Sequence, residues 1–363
     1  MQTYLFPIKI ALITFPILAF LFTFPFVIYQ YRKHGYINKF RVFILYSFLL
    51  YLLAAYYLVI LPLPKTHDVR SLQPINVQYY QLMPFNFIFD FLKETKVVFS
   101  KPSTYINIVK ERAFLQAAFN AILLMPLGIY LRYYFKKNLK QTVLICFSIS
   151  LFFEVTQVSA LYGFYNAPYR IFDVDDLILN TLGGYIGYKI APMFTYFFPK
   201  ADQLDENIDL KSIPVSFFRR LLAFSIDWFI LELIFPSLKT DILFKAILVF
   251  VYFILIVYIT NGKTFGKWIL RIKIKGKKDR LSFKEAVTRY SILYYGVFGF
   301  NYLLSQAISL NRNIQWPLLI FIMIAVLIIF DLIFFVHILL HIFKKDKRLF
   351  YEEISKTKNV ITK

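Results

Sequence analysis

Residues 317–343 read PLLIFIMIAVLIIFDLIFFVHILLHIF, and the only charge in these 27 positions is Asp331. A helix that crosses a bilayer needs roughly 20 consecutive apolar residues. The stretch therefore sets the class: a helical chain that spans a membrane. The rest of the sequence agrees. Of 363 residues, 59% are hydrophobic, 20% aromatic and 17% charged, and the mean hydropathy is +0.59. Soluble domains run near 45–50% apolar and about 25% charged. A disordered chain, a coiled coil and an ordinary cytosolic enzyme are excluded. The one cysteine, Cys146, lies in an apolar run, which excludes a disulfide framework and a cysteine-built zinc site.

Working outward, nine candidate spans emerge, at about 7–30, 41–61, 113–131, 141–161, 173–197, 219–236, 242–260, 285–308 and 317–343. The expected fold class is all-α: a polytopic integral membrane protein of about nine transmembrane helices in two bundles. The first span is too long, and lacks the small-residue site, for a cleaved signal. It is expected to be retained, with Pro7, Pro16 and Pro25 as kinks. The net charge is +21. In a soluble chain such an excess points to nucleic acid, but here the charges lie between apolar runs and report sidedness. With the N-terminus outside, 28 of the 42 Lys and Arg fall in cytosolic segments and 10 in outer ones, seven of these in the long segment 62–112. The expected orientation is N-terminus outside and C-terminus inside. The polar segment 199–216, bracketed by Pro199 and Pro214, reads as a cytosolic linker. It divides a five-helix domain (1–198) from a four-helix domain (217–363) with a basic cytosolic loop and tail.

Polar residues inside spans are costly and therefore informative. Gln116 and Asn120 share a helix face in the third span, as do Glu154 and Gln157 in the fourth. Asp173, Asp176, Asn180, Gly183 and Gly187 form one continuous helical stripe in the fifth. With the expected orientation, these groups converge on the outer half of the membrane. Arg170, in the short connection between the fourth and fifth spans, stands close enough to pair with a carboxylate. Two readings stay open. In one, Asp173 caps a helix, Asp175 and Asp176 complement its dipole, Gly183 and Gly187 serve close packing, and Glu154 holds the bundle together. In the other, Asn120, Glu154, Gln157, Arg170, Asp173, Asp176 and Asn180 line a ligand-binding pocket.

These residues also carry a resemblance. Phe119-Asn120-Ala-Ile-Leu-Leu-Met-Pro126-Leu-Gly128, Glu154-Val-Thr-Gln157 and Arg170-Ile-Phe-Asp173-Val-Asp175-Asp176-Leu-Ile-Leu-Asn180-Thr-Leu-Gly183 resemble the motifs of VanZ-like membrane proteins. Gln81-Leu-Met-Pro84-Phe85 is similar to that family's Asn-Leu-Ile-Pro-Phe segment, with Gln81 in place of Asn. The resemblance covers about residues 40–195, with its signature at 114–190. It implies a multi-pass protein of the bacterial cell membrane associated with resistance to glycopeptide and lipoglycopeptide antibiotics, teicoplanin among them. It implies no catalytic residue.

In the second half, Arg220 and Asp227 share a helix face, and Asp331 lies near mid-span. Arg220, Asp227 and Asp331 are candidates for an ion relay, with Arg289 as a further partner and Arg219 as an inner-face anchor. The run Gly262-Lys-Thr-Phe-Gly266-Lys267 is no phosphate loop: Val257 stands where the first Gly of a Walker motif belongs, and Trp268 follows Gly266-Lys267. It reads as a turn followed by a strand-like run, with Arg271, Lys273 and Lys275 on one face. His337 and His341 have metal-ligand spacing but no Glu between them and no third ligand nearby, so no metal is expected. Arg220…Asp227, the Gly262–Lys267 run, Leu281-Ser-Phe-Lys-Glu-Ala286…Arg289 and the ending Leu349-Phe-Tyr-Glu-Glu-Ile354-Ser-Lys-Thr357 resemble the RDD membrane domain over about 214–358. That resemblance implies one arginine and two aspartates of interest and, in some members, cation/proton exchange.

Three functions follow as expectations. The first is a cell-envelope protein that modulates glycopeptide susceptibility through an outer-leaflet polar pocket. The second is a cation or proton transporter using the Arg and Asp of the second half. The third is an intramembrane enzyme acting on a lipid-linked envelope precursor, ranked last because no nucleophile, metal set or phosphate cradle is visible. No cofactor and no nucleic acid are expected. The expected partners are membrane lipids and a lipid-linked precursor or a glycopeptide.

Overall fold

The computed structural model describes residues 2–362 except 96, 98, 99, 207, 211, 237–241, 311–316, 343 and 345. Helices dominate, and they group into two compact units. The first comprises 1–23 and 38–206, and the second 24–37 and 207–363. Among the described residues, six helices are long and apolar enough to cross a membrane: Leu5–His34, Lys39–Ile60, Arg112–Tyr133, Leu139–Val158, Ile242–Ile259 and Leu318–Ile342. The other three expected spans are helical over most of their length but carry charges within it.

The first unit begins with α1 (Gln2–His34), whose residues up to 23 belong to it, and α2 (Lys39–Ile60). Asn38 starts α2 by accepting the N–H groups of Phe40 and Arg41. A long connection follows, holding the short strand β1 (Tyr80–Gln81) and the helix α3 (Asn86–Glu94). Next come α4 (Arg112–Leu123) and α5 (Met125–Tyr133), which break at Leu124 just before Pro126, then α6 (Leu139–Val158). The last is opened by a reciprocal cap between Asn138 and Gln141. A turn with left-handed backbone at Ala160, Leu161 and Tyr162 leads to β2 (Phe172–Asp173) and α7 (Val174–Phe194). β1 and β2 pair in parallel, Tyr80 with Phe172 and Gln81 with Asp173.

Glycine explains why α7 lies so close to its neighbours. A Cβ on Gly183 would collide with the Ala121 carbonyl, and one on Gly187 with the Met125 carbonyl. The backbones can approach only because those side chains are absent. Around this contact, Leu124, Leu127, Leu131, Cys146 and Phe153 form the buried core.

The second unit contains α8 (Phe217–Ile234), α9 (Ile242–Ile259), α10 (Phe265–Ile269), β3 (Ile272–Lys275), α11 (Phe283–Tyr290), α12 (Gly299–Leu310), α13 (Pro317–Ile342), α14 (Phe350–Ile354) and β4 (Lys358–Ile361). Two stretches of wider π-type winding, Phe250–Ile256 within α9 and Ser291–Phe298 between α11 and α12, are packed together. Their Phe253 and Tyr294 rings lie 4.4 Å apart at the centre of the core. β3 and β4 pair antiparallel, so the strand-like reading of the basic run holds for Ile272–Lys275. Ile272 and Ile274 are buried, while Lys273 and Lys275 are half-exposed on the opposite face.

Candidate functional site

The polar groups of the first unit meet around the start of α7. Asp173 occupies the N-cap and accepts the Asp175 N–H at 2.9 Å. The Asp173 N–H in turn donates to Glu154 Oε2 on α6 at 2.9 Å. Glu154 is only 2% exposed, so its carboxylate is directed at backbone and held away from solvent. Asp175 reaches outside its helix and accepts the N–H groups of Phe85 (2.6 Å) and Phe87 (2.9 Å) at the start of α3. A carboxylate at this position satisfies donors that a helix start leaves free. Asp176 accepts the Asn120 side-chain amide from α4. One turn further on, the Asn180 amide donates to Ser150 Oγ at 3.0 Å, and Ser150 donates to the Asp176 carbonyl at 3.3 Å.

Beside this network lies a cavity of about 180 Å³ walled by α3, α4 and the first turns of α7. Asp90, Glu94, Asp173, Asp175 and Asp176 line it, with Arg112 as the single basic residue among the described ones and Asn86, Gln116 and Asn120 as amides. The residues of the expected pocket thus separate into groups. Asn120, Asp173 and Asp176 face the cavity, while Glu154 and Asn180 stand behind it and hold its wall. Gln157 and Arg170 turn elsewhere. Gln157 donates to the Val59 carbonyl at 2.8 Å and Arg170 to the Leu61 carbonyl at 3.1 Å, both at the end of α2. Among the described residues Arg170 forms no ion pair with the carboxylates. Asp90, Glu94 and Arg112 have no place in the sequence-based site. In a water-exposed connection a charge costs nothing, so it gives no signal. The signal that existed was the i, i+4, i+8 spacing of Asn86, Asp90 and Glu94.

In the second unit the three relay candidates have separate partners. Asp227, fully buried, accepts the Thr264 hydroxyl (2.5 Å), the Gly266 N–H (2.6 Å) and the Tyr252 hydroxyl (2.7 Å). It therefore fastens the Gly262–Lys267 turn onto α8. Arg220 pairs with Glu352 at 2.9 Å, and Glu352 also pairs with Arg289 at 2.5 Å and accepts the Asn359 amide at 2.7 Å. Asp331 is exposed on α13 and accepts the Asn301 amide at 2.7 Å. Arg219, expected as an inner-face anchor, is buried. It donates to the carbonyls of Gly35, Leu270 and Arg271 and stacks on Tyr31, so it closes the ends of two helices, α1 and α10. Glu352, at the centre of the buried charge cluster, is missing from the sequence-based site because its five-residue helix shows no apolar periodicity. Among the described residues no group of three or more His, Cys, Asp or Glu could hold a metal ion.

Fold and site together define a polytopic helical membrane protein with an acidic cavity at the start of one helix. Residues 48–195, which contain that cavity, match the family model VanZ/LLP1. No curated protein and no solved structure matches the chain.

Proposed function

We propose that the protein is a VanZ-like component of the bacterial cell membrane that modulates susceptibility to glycopeptide and lipoglycopeptide antibiotics of the teicoplanin type. In this reading the acidic cavity, on the outer side of a chain with its N-terminus outside, receives the antibiotic or the lipid-linked envelope precursor it targets. The observation that carries the reading is the cavity's charge: among the described residues, five carboxylates against one arginine. A cation at about 4 Å from one carboxylate, at an effective dielectric near ~20, gains about 4 kcal/mol before desolvation, and a phosphate is repelled by a similar amount. The cavity therefore favours a ligand that presents an ammonium or guanidinium group. Of the two ligands, that charge preference favours the antibiotic over a precursor that presents a bare diphosphate, and it weighs against phosphoryl chemistry on such a precursor.

The deciding experiment is a susceptibility panel of envelope-active antibiotics on strains producing wild type, Asp176→Ala or Glu154→Ala at equal membrane levels. Loss of protection in both variants supports the reading. Protection equal to wild type in both overturns it.

For the second half we propose an RDD-like module, completing about nine spans in two bundles divided at 199–216. Support comes from the convergence of its motif segments: Asp227 holds the Gly262–Lys267 turn, and Arg220 and Arg289 share Glu352. Three donors on Asp227 favour a scaffolding role over cation or proton exchange. Vesicles holding the purified protein that show an ion-driven pH change abolished by Asp227→Asn would reverse that preference.

A further inference from the structure

The helix α3 has two unlike sides. Asn86, Phe87, Asp90 and Glu94 line the acidic cavity. At 100° per residue, Ile88 and Leu92 fall on the opposite side with Phe89 at its border. Together with Leu82, Met83 and Phe85 just before the helix, these three residues are 43–64% exposed, and each is large and apolar. An amphipathic helix usually turns its apolar side to the core. Here Phe87 and Phe91 are half-buried, and a second apolar strip remains uncovered.

Two facts indicate what covers it. First, α3 is fixed at the end of a candidate membrane span. Arg112 and Gln116, in the first turns of the span Arg112–Tyr133, line the same cavity as Asp90 and Glu94. Asp175, in the first turn of α7, holds the start of α3. Second, α4 itself leaves Phe114, Phe119 and Ile122 outward, as a lipid-facing helix does. Both helices that wall the cavity thus keep large apolar residues exposed on the sides turned away from it. No charged residue interrupts the strip of α3, and the exposed Lys93 stands at its edge, where a long stem can follow the apolar surface with its ammonium in water.

We propose that α3 is an interfacial helix. Its Ile88–Phe89–Leu92 side is embedded in the lipid leaflet at the membrane–water boundary, and its other side walls the acidic cavity. The cavity then opens at the level of the lipid headgroups. A ligand reaches it along the membrane surface, which suits an amphiphile with a cationic headgroup. The placement of the helix does not depend on which ligand fills the cavity.

The test uses the full-length protein in lipid nanodiscs, with spin labels at Ile88→Cys, Leu92→Cys and Glu94→Cys. The native Cys146 is buried against Gly184, and unlabelled wild type serves as its control. The expected result is a several-fold higher ratio of oxygen to nickel-chelate collision at 88 and 92 than at 94. Nickel access at 88 and 92 equal to that at 94 means water covers the strip and overturns the proposal. Shielding from both probes means a protein partner covers it and also overturns it. All three residues are exposed on a short helix, Glu94 on its cavity side and the other two opposite, and an unchanged thermal midpoint verifies folding. Phe89→Cys repeats the measurement should any one variant be unstable.

Discussion

Gly266 gives its N–H to Asp227 across 2.6 Å, and it can do so only because it has no side chain: a Cβ there would enter the Ala223 carbonyl. The turn and α8 are therefore in backbone contact, with one carboxylate taking the turn's donors. Asp227→Ala leaves the Thr264 hydroxyl and the Gly266 N–H buried without an acceptor. Each such group costs about 1–3 kcal/mol. Both Asp227→Ala and Gly266→Ala are expected to lower the thermal midpoint in detergent by several degrees. A midpoint unchanged in both would show that the turn is held by something else.

The buried cluster around Glu352 makes a second prediction. Removing one member of a buried ion pair costs about 3–5 kcal/mol, because the partner charge stays behind. Glu352→Ala leaves two guanidiniums, Arg220 and Arg289, with no carboxylate between them. Glu352 also accepts from Asn359 at the start of β4, so the C-terminal strand should come loose. Tryptic cleavage after Lys356 and Lys358 should be much faster in Glu352→Ala than in wild type.

Close packing at α7 is tested by alanine. Gly183→Ala and Gly187→Ala press a methyl group into backbone carbonyls of α4 and α5, for which overpacking costs of about 1–3 kcal/mol apply. Gly296→Ala meets only ordinary contact with the Ser291 carbonyl and is expected to be neutral. Thermal midpoints of the three variants should separate accordingly.

Acidification should act on the long connection between α2 and α4. The Asn166 amide at 2.5 Å, with Ser71 contributing, holds the Asp68 carboxyl below its ordinary value. A depressed native value means the carboxylate's contribution is present above the unfolded value and fades as pH falls through the native one. The midpoint of wild type should exceed that of Asp68→Asn by a small margin above ~pH 5, and the gap should close on acidification below the unfolded carboxyl value of about 3.9. A gap independent of pH would deny the linkage.

How much of this could be read in advance follows from where charge is expensive. Inside an apolar run a single carboxylate stands out, which is why Glu154, Asp176 and Asp227 were visible in the sequence. Asp90, Glu94 and Glu352 lie where charge is ordinary, and only the fold brings them to a cavity or a buried pair. Direction was hidden as well. Helical spacing put Glu154 and Gln157 on one face, yet the first supports the start of α7 and the second the end of α2. Arg219 and Arg220 look alike as a basic pair at a helix start, but one caps two helix ends and the other pairs with a tail more than a hundred residues away.

The contact from Asp175 to Phe85 and Phe87 spans about 90 positions of chain. During synthesis, α3 has left the ribosome long before its capping carboxylate exists, and the parallel pairing of Tyr80 with Phe172 must wait equally long. Until α7 is made, the cavity lacks a wall and the connection between α2 and α4 is a loose loop on the membrane. Assembly of the site is therefore a late event in the birth of this half of the protein. A chain truncated before residue 172 should insert its early helices yet leave α3 as accessible to protease as an unfolded segment.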